Sequence, residues 1–154
     1  MFLYKRIYIG AYWEHSQVEG EINIFVKGKK VPVNFKKVAN IVEEAAYWRK
    51  ANAIHNWFVQ NLAAGVDDCR PVFCTIDDLR KLVKVCERIL SAPESDRQRV
   101  ASNILPTQQG FFFGSTDYDQ YYYDDLKSTI DMLNEVIASH DDTVSVYYEY
   151  RASW

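Results

Sequence analysis

The chain has 154 residues, 48% of them hydrophobic and 15% aromatic, with a formal net charge of −3 and a pI near 5.6. That is the length of one compact domain with a real core, so a single domain over residues 1–154 is expected, and the acidic pI weighs against nucleic acid as the principal ligand. No apolar run approaches the roughly 20 residues that cross a bilayer, and the opening MFLYKRIYIGAYW lacks the apolar stretch and cleavage site of a secretory signal, so a cytoplasmic protein without a membrane partner is expected.

In chain order, residues 3–12 are rich in β-branched and aromatic side chains and predict a strand. Residues 21–26, a turn containing Gly28 and residues 30–33 predict a hairpin. From 42 to 62, Tyr47, Trp48, Ala51, Ile54, Phe58 and Leu62 recur at three- and four-residue steps, predicting an amphipathic helix that stops near Gly65 and that Asn34 could cap much earlier. Residues 71–74 predict a short strand. Thr75 and Asp78 then form a capping-box pattern ahead of a helix over 76–90. Residues 91–106 contain two prolines and read as a connection with one helical turn around 97–101. A third helix is expected from 117 to 138, with Tyr122, Leu126, Thr129, Ile130, Leu133, Val136 and Ile137 as its apolar stripe, and a last strand over 144–150. The predicted fold class is α+β, a mainly antiparallel sheet with about three helices packed on one face.

Charge is divided along the chain. Residues 1–65 hold 9 Lys/Arg against 5 Asp/Glu, and residues 66–154 hold 9 against 16. The basic part centres on Lys27, Lys29, Lys30, Lys36 and Lys37 around the hairpin, where solvated turn lysines are the simplest reading. Cys69, Cys74 and Cys86 match no CxxC spacing, so reduced thiols are expected rather than a disulfide framework or a zinc site.

Two stretches carry candidate chemistry. In QGFFFGSTDYDQYYYDD, seven of the thirteen residues from Phe111 to Tyr123 are aromatic. Gly114, Ser115 and Thr116 make a small-residue hinge, and Thr116 with Asp119 matches a second capping box. A helix N-terminus there, with unpaired N–H groups and the positive end of the dipole, is a seat for phosphate or carboxylate, while Phe112, Phe113 and Tyr118 offer ring faces. In AAYWRKANAIHNWFVQ, helical spacing places Arg49, Asn52, Asn56 and Gln60 on one side, with Trp48 and His55 at its edge. The guanidinium of Arg49 suits a planar anion. Neither GxxxxGK[ST] nor GxGxxG is present, so no standard nucleotide fold is implied.

Catalytic readings are thinner. Ser115 lacks a GxSxG elbow, and Cys69 with His55 upstream sits beside Asp67 and Asp68, whose charges would raise the thiol pKa. Asp67, Asp68, Asp117, Asp119, Asp124 and Asp125 offer oxygen donors for magnesium, but carboxylates complementing a helix dipole explain Asp117 and Asp119 without one. No catalytic residue, metal or cofactor is therefore assigned.

YWRKANAIHNWFV, the DDC at Asp67–Cys69 and LPTQQGFFFGSTDYDQYYYDDL, in this order, resemble a family of small, mostly uncharacterised proteins encoded by bacteriophages and prophages. The resemblance spans residues 47–133, with the N-terminal 40 residues outside it. It implies a viral accessory protein working in bacterial cytoplasm, with counter-defence or remodelling of host metabolism as its setting, and it carries no catalytic residues. The expected function is capture, without turnover, of a small nucleotide-like or phosphorylated ligand by Trp48, Arg49, Asn52, His55, Asn56, Phe112, Phe113, Gly114, Ser115, Thr116 and Tyr118. The alternatives are a nucleotide-directed phosphoesterase or hydrolase, and a protein-interaction inhibitor of a host factor. The aromatic content also points to a homodimer, with the tyrosines of the last strand at an edge.

Overall fold

The structure is a computed structural model that describes residues 1–13, 19–110 and 114–153. It is an α+β fold, with six strands, β1 (Phe2–Tyr8), β2 (Ile24–Val26), β3 (Lys29–Val31), β4 (Asn40–Tyr47), β5 (Val72–Cys74) and β6 (Val146–Arg151), and four helices, α1 (Asn52–Leu62), α2 (Ile76–Leu90), α3 (Glu94–Ile104) and α4 (Gln120–Ala138), among these residues. The main sheet runs β4-β1-β6-β5 and is antiparallel throughout, and β2 and β3 form a separate hairpin.

Alternation along the strands sorts side chains between two faces. Leu3, Ala46, Tyr148, Tyr150, Val72 and Cys74 share the inner face through the register Leu3↔Ala46, Leu3↔Tyr150, Val72↔Tyr150 and Cys74↔Tyr148, and all but Val72 are fully buried. They pack with Ile54 and Phe58 of α1, Leu79, Leu82, Cys86 and Ile89 of α2, and Leu126 and Leu133 of α4 in one core. The outer face carries Phe2, Tyr4, Tyr47, Tyr147 and Phe73 around a buried Glu149. Arg6 donates to Glu149 through Nε at 3.1 Å and Nη2 at 3.3 Å, and Arg151 pairs with the same carboxylate. Burial pushes Glu149 up, but the hydrogen bonds from Arg151 and Arg6 outweigh it and hold the carboxyl below the usual range.

Helix α2 begins and ends where the periodicity puts it. Its box is complete: Thr75 N donates to Asp78 Oδ2 at 3.0 Å and Asp78 N to Thr75 Oγ1 at 3.3 Å. Replacing Thr75 with alanine is expected to cost about 1 kcal/mol in a urea titration, and a change below about 0.3 kcal/mol would show the cap to be idle.

Several expected elements differ. The helix predicted over 42–62 is two elements, because residues 40–47 pair along the whole of β1 and a loop separates them from α1. Lys50 in that loop has φ 62°, a left-handed conformation that interrupts any regular helix. Consequently Arg49 is a loop residue, not a member of a helical polar face. Residues 91–106 hold an 11-residue helix rather than one turn. The last helix starts at Gln120, not 117, capped by Asp119, whose Oδ1 accepts from Tyr122 N at 3.1 Å, so Thr116 is not its cap. Among the described residues the α-helices therefore number four, and the strands expected over 3–12, 21–26 and 30–33 are shorter. Cys69 is exposed while Cys74 and Cys86 are buried, and burial pushes both buried thiols up to about 12. Among the described residues no helix is long and apolar enough to cross a membrane.

Candidate functional site

The β4–α1 loop and the segment before α4 meet. Asn52, buried at the first position of α1, donates from Nδ2 to the Ser115 carbonyl at 2.6 Å and accepts at Oδ1 from Gln108 N at 3.4 Å. Gly114 has φ +76°, a conformation that glycine adopts freely, and a Cβ there would lie 3.5 Å from Lys50 Cβ. Two segments more than 60 residues apart in sequence thus touch through one buried amide and one glycine.

Beside this junction lies a cavity of about 250 Å³. One segment contributes Arg49, Lys50 and the first turn of α1 from Asn52 to Ile54, and the other contributes Gly114, Ser115, Asp117, Asp119, Tyr121, Tyr122, Asp125 and Leu126. The volume falls just below the range of about 300–1,000 Å³ typical of ligand pockets, so it suits a small molecule or one end of a larger one.

The two helix N-termini at the cavity differ in kind. That of α4 is closed by the Asp119 carboxylate. That of α1 has Ala51 at the cap position and no side-chain cap, and its first internal bond runs from His55 N to Ala51 O at 3.0 Å. The N–H groups of Ala53 and Ile54 thus have no acceptor within the helix, and the positive end of its dipole lies open beside Arg49 and Lys50. Neither cation forms a salt bridge among the described residues.

Asp125 is the titrating group here. Burial, and then the neighbouring Asp124 and Asp119, push its carboxyl up to about 6 from an ordinary 3.8. A carboxyl raised on folding contributes stability that is present below the unfolded value and is lost as pH rises through the folded one. The part of the stability profile due to Asp125 should therefore decline between about pH 4 and pH 6. Asp125→Asn is expected to remove that decline, as urea titrations across this range would show, and an unchanged profile would assign it to another group.

The structure does not bring every predicted site residue to the cavity. Trp48 is buried in the core, where its Nε1 donates to Thr129 Oγ1 at 2.9 Å, so it is no edge residue facing a ligand. His55 is buried as well, with Nδ1 2.7 Å from Tyr150 Oη and Nε2 3.1 Å from Asp67 Oδ2. Asn56 is buried and donates to the Pro106 carbonyl at 3.0 Å. Thr116 and Tyr118 brace the adjoining loop, accepting at the Thr116 carbonyl from Thr107 Oγ1 at 2.9 Å and at Tyr118 Oη from Thr107 N at 3.4 Å. Phe112 and Phe113 lie outside the described residues. What remains at the cavity is Arg49, Asn52, Gly114 and Ser115.

Lys50, Tyr121 and Asp125 are additions that sequence reasoning did not place in the site. Lys50 and Tyr121 lie next to, or within, the quoted motifs, but only the loop conformation and the start of α4 direct them to the cavity. Burial, invisible in the sequence, sets Asp125 apart from Asp124, which takes up Lys127 and Gln120 at the surface.

Of the groups considered for turnover, Ser115, Asp117, Asp119 and Asp125 line the main cavity, while His55 and Cys69 line a separate small recess with Asp67, Asp68 and Tyr150. There His55 is engaged through both ring nitrogens. Among the described residues no three His, Cys, Asp or Glu side chains are grouped to hold a metal ion. In comparisons with known proteins, the chain matches no protein-family model, no curated protein and no solved structure.

Proposed function

We propose that this protein is a receptor for a small phosphorylated or nucleotide-like molecule, which it holds at the α1 N-terminus without turning it over. The observation that carries this reading is the joining of an uncapped helix N-terminus, Arg49 and Lys50 in one cavity. Backbone N–H groups and the dipole favour an anion, and a guanidinium adds charge-assisted hydrogen bonds. Capture rather than chemistry is supported by the lining of the cavity, where Ser115 has no histidine beside it among the described residues and His55 and Cys69 lie in the other recess. The resemblance to phage-encoded proteins supplies the setting, an accessory role in a bacterial host such as counter-defence.

Native mass spectrometry of freshly purified protein tests for a retained small molecule, and calorimetry with ribose 5-phosphate tests for the anion site. Arg49→Ala is expected to weaken that binding at least about tenfold, the effect of losing one charge-assisted hydrogen bond of about 1.5–3 kcal/mol. Unchanged affinity in Arg49→Ala would contradict the reading.

A second reading, an inhibitor that docks on a host protein, is favoured by the outer sheet face, where Phe73 is 66% and Tyr47 48% exposed. Capture of one bacterial protein by the wild type, lost in Tyr47→Ser/Phe73→Ser and kept in Arg49→Ala, would favour it. Capture that survives the double substitution would count against it.

A further inference from the structure

The cavity is positive on one side only. The α1 side offers Arg49, Lys50 and the N–H groups of Ala53 and Ile54, whereas the α4 side offers three carboxylates, those of Asp117, Asp119 and Asp125. Asp119 already uses one oxygen to cap α4. Asp125 differs: it is partly buried, and among the described residues no donor or cation meets its side chain, while Asp124 beside it is paired with Lys127 and Gln120. A carboxylate accepts hydrogen bonds and cannot donate them. A ligand that is anionic throughout would be attracted at one end and repelled at the other. One that carries N–H donors away from its anion would satisfy both.

Tyr121 narrows the class further. It belongs to the cavity lining yet is 81% exposed, so a ring face stands open at the rim. An aromatic face beside a site for anions and a site for donors fits a planar, amino-bearing base joined to a phosphate.

Building on the receptor reading above, we infer that the ligand is a nucleotide whose base presents amino and ring N–H donors to Asp125 while its phosphate sits at Arg49, Lys50 and the start of α1. The Watson–Crick edge of guanine, with two neighbouring N–H donors, is the closest match to a carboxylate. Hypoxanthine keeps the ring and one of those donors but lacks the exocyclic amine.

Calorimetry at pH 7.5 with guanosine 5′-monophosphate, inosine 5′-monophosphate and ribose 5-phosphate tests this on wild type, Asp125→Asn and Asp125→Ala, with thermal melts to establish that each variant is folded. The expected result is guanosine monophosphate bound at least about tenfold tighter than either of the others, with the advantage lost in both variants while ribose 5-phosphate binding stays. Equal binding of all three ligands by the wild type would overturn the base assignment and leave the anion receptor standing. A guanosine preference that persists in both variants would also overturn it. Failure of all three to bind at millimolar concentration would overturn the receptor reading together with this one.

Discussion

Phe58→Ala is expected to destabilise the protein by about 3–5 kcal/mol, the range for deleting a buried aromatic ring. Phe58 is fully buried and stacks on Tyr150 with ring centroids 4.0 Å apart and planes inclined by 5°, while Trp57 and Trp48 meet it edge-on at 5.3 and 6.0 Å. Four rings from α1, β6 and the loop after β4 thus lock together, and alanine would leave three of them facing a void. Since a domain of this kind has about 5–15 kcal/mol in total, the variant should lose a large share of it. Urea titration with an unchanged slope and a lowered midpoint is the expected readout. A loss under about 1 kcal/mol would mean that the neighbouring rings collapse into the gap.

Asn52→Ala should cost about 1–3 kcal/mol, because it leaves the Ser115 carbonyl and the Gln108 N–H without their buried partner. Its effect on ligand capture should be larger than its effect on stability. The same amide ties the α1 N-terminus to the 114–126 segment, so the cavity walls lose their registry when it goes. Asn52→Asp separates two influences. A carboxylate in a first helical turn gains about 0.3–1 kcal/mol from the dipole. It would also set an acceptor against the Ser115 carbonyl, now 2.6 Å from Nδ2, at a cost of about 1–3 kcal/mol. The second effect wins, and Asn52→Asp should be less stable than wild type at pH 7. Greater stability in thermal melts would show the amide bridge to be dispensable.

Much of this fold can be read from local pattern, and the failures have a common cause. Helix α2 announces itself through a capping box and a clean apolar period, both decided within its own residues. Strand β4 does not. Its Glu43 and Glu44 obscure two-residue alternation, a register irregularity between Leu3 and Tyr4 breaks the pleat, and Tyr47 and Trp48 happen to continue the period of α1. Only pairing with β1 decides its state, a non-local interaction that no window of sequence contains. Helix α3 is hidden by polarity, having one fully buried side chain, Ala101.

The candidate site divides in the same way. Residue type marks Arg49, Asn52, Gly114 and Ser115, but helical geometry gives the wrong reason for Arg49, which reaches the cavity from a loop. Helical spacing puts Asn56 on a polar side and His55 at its edge, and both are instead buried groups with hydrogen bonds to Tyr150, Asp67 and Pro106.

Helix α1 has eight consecutive buried residues, from Asn52 to Val59. Side chains buried over two full turns hold this stretch to its surroundings, so its amides at Phe58 and Val59 should exchange with deuterium only when the whole molecule opens. A guest seated at the end of that helix would then retard exchange deep in the interior, many residues from any contact, by mass action alone.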